Sequence, residues 1–169
     1  ACGLSVYGAG VLLGVGLGGG LCYLTGEHYV LGRVGKYLLH DAMSRVNLDF
    51  TQHVCYQPLA HLLDAIRQGS PAGLQEFGPW QTLYPHLSEL PEPARRSWFA
   101  FDHFYSDWAF QQAQDKVFGY APRHLYDLGG NTGKWAIACA KRDPALRVTI
   151  LDLPEQLALA RLNIEEAGL

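Results

Sequence analysis

Charge is scarce in this sequence and absent from its opening: no Asp, Glu, Lys or Arg occurs before Glu27. An uncharged apolar opening raises the question of a signal peptide or a spanning helix. The stretch lacks the basic start of the former and an initiator Met. Gly8, Gly10, Gly14, Gly16, Gly18, Gly19 and Gly20 interrupt any continuous span, so no membrane insertion is expected. Charged residues make up only 17% of the 169, with a net charge of −3. That balance lacks the basic patch of a general nucleic-acid binder. No CxxC pair exists among Cys2, Cys22, Cys55 and Cys139, and no Cys/His cluster has zinc-ligand spacing. No metal site is expected, and the thiols are expected to be reduced, as in a cytoplasmic protein. Internal repeats are absent. What is not scarce is apolar content, 49%, enough to bury a core and to exclude a disordered class.

The segments differ in grammar. In residues 1–45, a short apolar helix is expected from about Leu4 to Leu13, with Val6, Leu12 and Leu13 inward, broken by the glycines from Gly16 to Gly20. Two β-rich runs, residues 21–24 and 28–31, flank a Thr25-Gly26 turn and read as a hairpin, followed by a helix near residues 35–39. Helix, hairpin, helix is the ending of a winged-helix domain. Residues 46–118 read as a helical connector. Leu59, Leu62, Leu63 and Ile66 recur at i, i+3, i+4, i+7 and predict one apolar helical face, with Pro58 in the first turn and Gly69 at the end. Pro and Gly are missing from residue 94 to 117. This predicts one long helix or two abutting ones, rich in aromatics from Trp98 to Phe110.

Residues 119–169 alternate. The run 124–128 reads as a strand, 129–133 as a glycine-rich turn, 134–142 as a helix stopped by Asp143-Pro144. Residues 147–151 read as a β-branched strand and 154–167 as a helix opened by Pro154. Strand, turn, helix, strand, helix predicts parallel pairing, so the fold class is α/β with an α+β N-terminal part.

The string Asp127-Leu-Gly-Gly-Asn-Thr-Gly133, with Asp152 at the second strand's tip, carries the chemistry. Glycines there allow a tight turn and close approach of a ligand to backbone, and the second acid is placed to accept from ribose hydroxyls. The dinucleotide pattern GxGxxG fails: from Gly129, Asn131 and Lys134 stand where glycines are needed. GxxxxGK[ST] fails at Leu128 and Trp135. An acid at the strand tip followed by GxxxG repels a pyrophosphate. It favours a cationic nucleoside such as S-adenosylmethionine.

DLGGNTGKWA followed by VTILDLP resembles the motifs of S-adenosylmethionine-dependent small-molecule O-methyltransferases, the type with a winged-helix dimerisation domain and a Rossmann-like domain. LCYLTGEHYVLGRVGKYLLHD resembles that family's wing and following helix. FDHFYSDWAF sits where the family has a helix touching cofactor and acceptor. The resemblance implies a partial winged helix, a helical linker and the first βαβα half of the methyltransferase sheet. It places Gly129 and Gly130 against the cofactor's methionine part, Asp127 near its amino group, Asp152 on the ribose and Leu153 beside the adenine. Ser106, Tyr105 and Phe101 would contact cofactor or a small aromatic or polyketide-like acceptor. It also implies a homodimer, and a catalytic His after the fourth strand, beyond Leu169. Within the chain His53, His61 and His103 are base candidates, with His103, flanked by Asp102 and Tyr105, the best of them. Two strands alone would leave an open edge, so weak cofactor binding is expected of these residues in isolation. Lys134 reads as an exposed helix residue. The competing readings are a winged-helix ligand-sensing regulator and an NAD-dependent oxidoreductase fragment, the latter disfavoured by the absent GxGxxG.

Overall fold

The computed structural model describes residues 2–169. They form two units, one ending at Asp49 and one running from Phe50 to Leu169.

The first unit opens with α1, Val6–Gly18. Ser5 starts it: its Oγ accepts the Gly8 N–H at 3.0 Å, satisfying a donor that has no partner inside the helix. The helix does not stop near Leu13. It runs on through Gly14 and Gly16, because a glycine weakens a helix by only about 1 kcal/mol and close packing offsets that here. Gly16 is the buried residue of α1, and a Cβ there would lie 3.1 Å from Cys22 Sγ. The expected inward placement of Val6 and Leu12 is overturned. Val6 is 93% exposed and Leu12 is also exposed, since the face that approaches the neighbouring strand is the small one. Strands β1 (Cys22–Thr25) and β2 (His28–Leu31) pair antiparallel, with Thr25 opposite His28. Gly26 supplies the positive φ, +60°, that the two-residue turn demands. Helices α2 (Arg33–His40) and α3 (Ala42–Phe50) follow. Gly35 of α2 lies against the hairpin so closely that a Cβ would meet Leu21 O at 2.5 Å.

The second unit begins with a π-helical turn, Thr51–Cys55, and a 3-10 turn, Pro58–His61, leading into α4, Leu62–Gln68. Gly69 ends α4 in the left-handed conformation at φ +63°. The single helix expected from Pro58 is divided: Leu59 lies in the 3-10 turn and Leu62, Leu63 and Ile66 in α4, and all four are exposed, Ile66 at 72%. Periodicity tells which side chains align, and nothing in it says what covers them. The core here is built from Val54, Leu87, Leu90 and Ala94, with Phe50, Phe77, Trp80, Trp98 and Phe99 packed around them. Leu87 is 2% exposed. Leu87→Ala is expected to lower stability by about 2–5 kcal/mol, read from denaturant unfolding; an unchanged midpoint would place the core elsewhere.

The aromatic run divides into α5 (Glu92–Ser106) and α6 (Phe110–Phe118), joined by a 3-10 turn at Asp107–Ala109. Then come β3 (His124–Leu128), α7 (Lys134–Arg142), β4 (Arg147–Leu151) and α8 (Pro154–Glu166). β3 and β4 pair parallel from His124–Arg147 to Leu128–Leu151, so both carboxyl ends point the same way. Cys139 on α7 is fully buried and takes a contact from Gln114 of α6 at 3.8 Å. Among the described residues no helix is long and apolar enough to cross a membrane, and no His, Cys, Asp and Glu group could hold a metal ion.

Candidate functional site

β3 ends at Leu128, and the chain must reverse at once to start α7. Gly129 at φ +70° and Gly133 at φ +77° make that reversal, in a region that side-chain-bearing residues rarely enter. Gly129 N–H donates back to Leu151 O at 2.8 Å and Gly133 N–H to Gly130 O at 2.8 Å, fastening the loop to the end of β4 and closing the turn. Gly130 is required for space: a Cβ would stand 2.7 Å from Asp127 Oδ2 and 2.7 Å from Ile150 Cγ2. Gly133 lies over α8, where a Cβ would meet Ala160 Cβ at 3.2 Å. From α8, Asn163 Nδ2 donates to Thr132 O at 2.8 Å, so the second helix steadies the loop as well.

Asp152, at the tip of β4, is the other anchor. Its Oδ2 accepts the Asn131 N–H at 2.7 Å and its Oδ1 accepts the Leu153 N–H at 2.7 Å. An ionised carboxylate has about four acceptor sites, so each oxygen keeps capacity toward a further donor. Two cavities flank the loop. One, of about 260 Å³, is lined by Asp102, His103, Ser106, Asp127, Gly130 and Lys134 among others. The second, of about 240 Å³, is lined by Tyr84, Trp98, Asp152 and Gln156. Asp102, Gly129 and Asn131 line both. Three buried oxygens lack partners among the described residues: Asp127 Oδ2, Asn131 Oδ1 and Gln156 Oε1. Each belongs to a residue lining one or both cavities. Buried acceptors are almost always satisfied, so these three oxygens are open to a further donor.

The parallel strand pair thus carries a glycine loop, an acid at each strand tip and three orphaned acceptors around them. No protein-family profile matches the chain. The chain is 32% identical over 146 residues to aclacinomycin 10-hydroxylase RdmB of Streptomyces purpurascens, covering 81% of this chain and 37% of RdmB. Among solved structures it is 30% identical to the S-adenosylmethionine-dependent methyltransferase SibL, with a TM-score of 0.60 over 98% of this chain and 49% of SibL. The O-methyltransferase NcsB1 from neocarzinostatin biosynthesis, solved with S-adenosylmethionine and a naphthoic acid, gives a TM-score of 0.66 at 24% identity, over 94% of this chain and 49% of that one. Over most of its length the chain resembles the S-adenosylmethionine-dependent O-methyltransferases. It spans about half the length of these solved relatives and 37% of RdmB.

In this methyltransferase-like chain the sequence-predicted residues do not all converge. Asp127, Gly129, Gly130 and Ser106 line the first cavity, and Asp152 the second. Leu153 is 39% exposed and lines neither. Phe101 stacks on Phe50 with ring centroids 4.2 Å apart and meets Tyr105 at 5.0 Å, and neither ring lines either cavity. His53 Nδ1 pairs with buried Ser97 Oγ at 2.9 Å. His61 holds Glu76 at 2.6 Å and Gln75 at 2.7 Å. Both of these histidines are committed outside the two cavities.

His103 is different, since it lines the first cavity. Burial lowers its pKa, with the Lys134 ammonium acting in the same direction and Asp107 and Asp102 opposing. The neutral ring donates from Nδ1 to Asp107 Oδ1 at 3.3 Å, and Nε2 then accepts from Thr132 Oγ1 at 3.1 Å. Lys134 is not simply solvated: its Nζ pairs with Asp107 Oδ2 at 2.7 Å. Asp102, Thr132, Gln156 and Asn163 escaped the sequence reading. Contacts 29 to 72 residues away in the chain bring Asp102, Gln156 and Asn163 to the loop or beside it, and tie Thr132, within the loop, to His103 and Asn163. In the sequence Asn131 stands out only as a non-glycine within the glycine-rich turn.

Burial raises the Asp127 pKa, and the neighbouring Asp152 charge raises it further. The sign follows from linkage. The folded chain holds this proton more tightly than the unfolded chain does. Asp127 therefore adds stability below the ordinary aspartate pKa, and that contribution is lost as pH rises through the elevated value. Asp127→Asn removes the dependence. Without ligand, the melting temperature of the Asn variant is expected to gain on wild type as pH rises from about 4 toward neutrality; wild type gaining instead would contradict it.

Proposed function

We propose that the protein is an S-adenosylmethionine-dependent methyltransferase acting on an oxygen of a small aromatic or polyketide-like acceptor. The observation that carries this reading is the buried, unpartnered Asp127 Oδ2 beside Gly130, at the carboxyl end of a parallel strand pair whose other strand leads into Asp152. Buried acceptors and a backbone cradle fit a cationic nucleoside and disfavour a pyrophosphate. The named activities of SibL and NcsB1 support the same reading.

On this reading Asp152 accepts from the ribose hydroxyls while its backbone bonds hold it in place, and Gly129 and Gly130 admit the methionine part next to Asp127. When bound, S-adenosylmethionine supplies a methyl group already activated by a sulfonium. The protein's remaining task is alignment of the acceptor, a proximity effect, and removal of its proton. Neutral His103, oriented by Asp107, is the base within this chain, and its Nε2 receives the proton only when the Thr132 hydroxyl that donates to it turns away. Residues 119–169 form the first βαβα part of a Rossmann-like sheet and residues 46–118 the connector with the acceptor-side helices. Residues 1–45 are a partial winged helix used in homodimerisation; the exposed Val6, Leu12 and Val15 of α1 support this. The reading places the protein in the cytoplasm.

A second reading, hydroxylation of a polyketide-like compound, is favoured by the identity to RdmB. Product mass separates the two, as methylation adds one CH2 and hydroxylation one oxygen atom. For the cofactor, thermal protection of the intact protein by S-adenosylhomocysteine and not by NADH is the expected result. The reverse would overturn both the cofactor and the methylation reading.

A further inference from the structure

Asn131 stands at the centre of the loop in an unusual state. Its φ is +51°, in the left-handed region, and only Ala121 shares a positive φ among the described non-glycine residues. Asparagine tolerates that region when local hydrogen bonds hold it. Two carboxylates do so from different elements: Asp152 of the β4 tip accepts its N–H, and Asp102 of α5 accepts its Nδ2. A carboxylate at Asp102 decides the orientation of the amide, since an ionised acid accepts and cannot donate. The nitrogen must face Asp102, which leaves Oδ1 pointing elsewhere. That Oδ1 is buried and has no partner. Asn131 lines both cavities; it shares the first with Asp127, whose Oδ2 is the other orphaned acceptor there.

We propose that Asn131 is a specificity-determining residue: its Oδ1 and Asp127 Oδ2 together accept from a primary ammonium on the ligand's amino-acid tail, while Asp102 sets the amide's direction. An ammonium carries three donors, and a single carboxylate oxygen leaves the others unmatched. A second buried acceptor on the same cavity supplies the lacking partner. Asp152 and Gln156 line the neighbouring cavity and are left for the nucleoside. The inference rests on the S-adenosylmethionine reading and assigns to one side chain the recognition of the tail.

The test compares S-adenosylhomocysteine, which has the ammonium, with 5′-methylthioadenosine, which lacks the amino-acid tail. Both are titrated by calorimetry into the intact protein and its Asn131→Gly variant. Glycine accepts the positive φ, so the loop conformation is retained. The variant is expected to bind S-adenosylhomocysteine about tenfold or more weakly. Its affinity for 5′-methylthioadenosine should stay within about twofold. Equal weakening toward both ligands, or weakening toward neither, overturns the proposal. Should the variant not fold, the wild-type side-chain amide of Asn131 gives the answer by NMR. Its resonances are expected to shift with S-adenosylhomocysteine and not with 5′-methylthioadenosine; any other pattern overturns the proposal. Failure of wild type to bind either ligand would instead sink the cofactor reading beneath it, so the two failures are distinguishable.

Discussion

Gly130→Ala is expected to abolish nucleoside binding and to destabilise the second unit. A single added methyl would lie 2.7 Å from Asp127 Oδ2 and 2.7 Å from Ile150 Cγ2, well inside van der Waals contact. Neither neighbour can retreat easily. Asp127 belongs to β3 and Ile150 to β4, and the two residues are direct partners in the parallel ladder. Overpacking at such a site costs about 1–3 kcal/mol, and relief requires the loop to lift away from the strand ends. That movement would carry Gly129, Asn131 and Thr132 with it, together with the bonds from Asp152 and Asn163. Calorimetric titration with S-adenosylhomocysteine should show no measurable heat, and chemical denaturation should show the lowered stability. Retained binding with wild-type affinity would mean that the loop does not form the ligand's floor. Gly129→Ala makes a useful contrast. No atom lies within 4 Å of a Cβ built there, but φ is +70°, so any cost is backbone strain of about 1 kcal/mol or more, with no collision.

Asp152→Asn is expected to weaken S-adenosylhomocysteine binding roughly 100-fold or more, since two charge-assisted bonds to ribose would each be lost or reduced. The carboxylate also does structural work. It accepts the N–H groups of Asn131 and Leu153, and an asparagine oxygen can replace only one of its two oxygens. Leaving a backbone donor without an acceptor costs about 1–3 kcal/mol when buried. Asp152→Asn should therefore lose both affinity and stability, with the larger change in affinity. Loss of stability with undiminished affinity would assign Asp152 to the loop alone. A glutamate at the same position keeps the charge and moves it outward by one methylene; it is expected to recover neither property in full, because both N–H contacts are at 2.7 Å with no slack.

The legibility of this chain in its sequence varied with the range of the forces involved. The βαβα segment was readable almost residue by residue. β3 and β4 have the bounds expected, α7 begins after the glycine turn and ends at the Asp143-Pro144 stop, and α8 opens at Pro154. Each boundary is set by a local rule about φ or a missing N–H. The hairpin was readable for the same reason, through Gly26. Where the sequence reading went wrong, it assumed that an apolar pattern is a covered one. Val6 and Leu12 on α1, expected inward, are exposed. Helix periodicity aligns side chains by geometry alone, whereas burial depends on which other element arrives.

The sequence alone determined most of the turn chemistry: glycines at two of the three positive-φ positions after Asp127, with Asn131 at the third, an acid at each strand tip, and no phosphate-binding glycine pattern. These follow from steric limits on one residue and its immediate neighbours. Tertiary structure alone decided which oxygens are left without a partner. Asp102 reaches Asn131 from 29 positions away and Gln156 reaches Tyr84 from 72, and such long-range pairings choose which side of each amide or carboxylate is used up. The acceptor that stays unpaired is what a ligand can recognise, because desolvation of a polar atom becomes a binding force only after folding has removed its other partners.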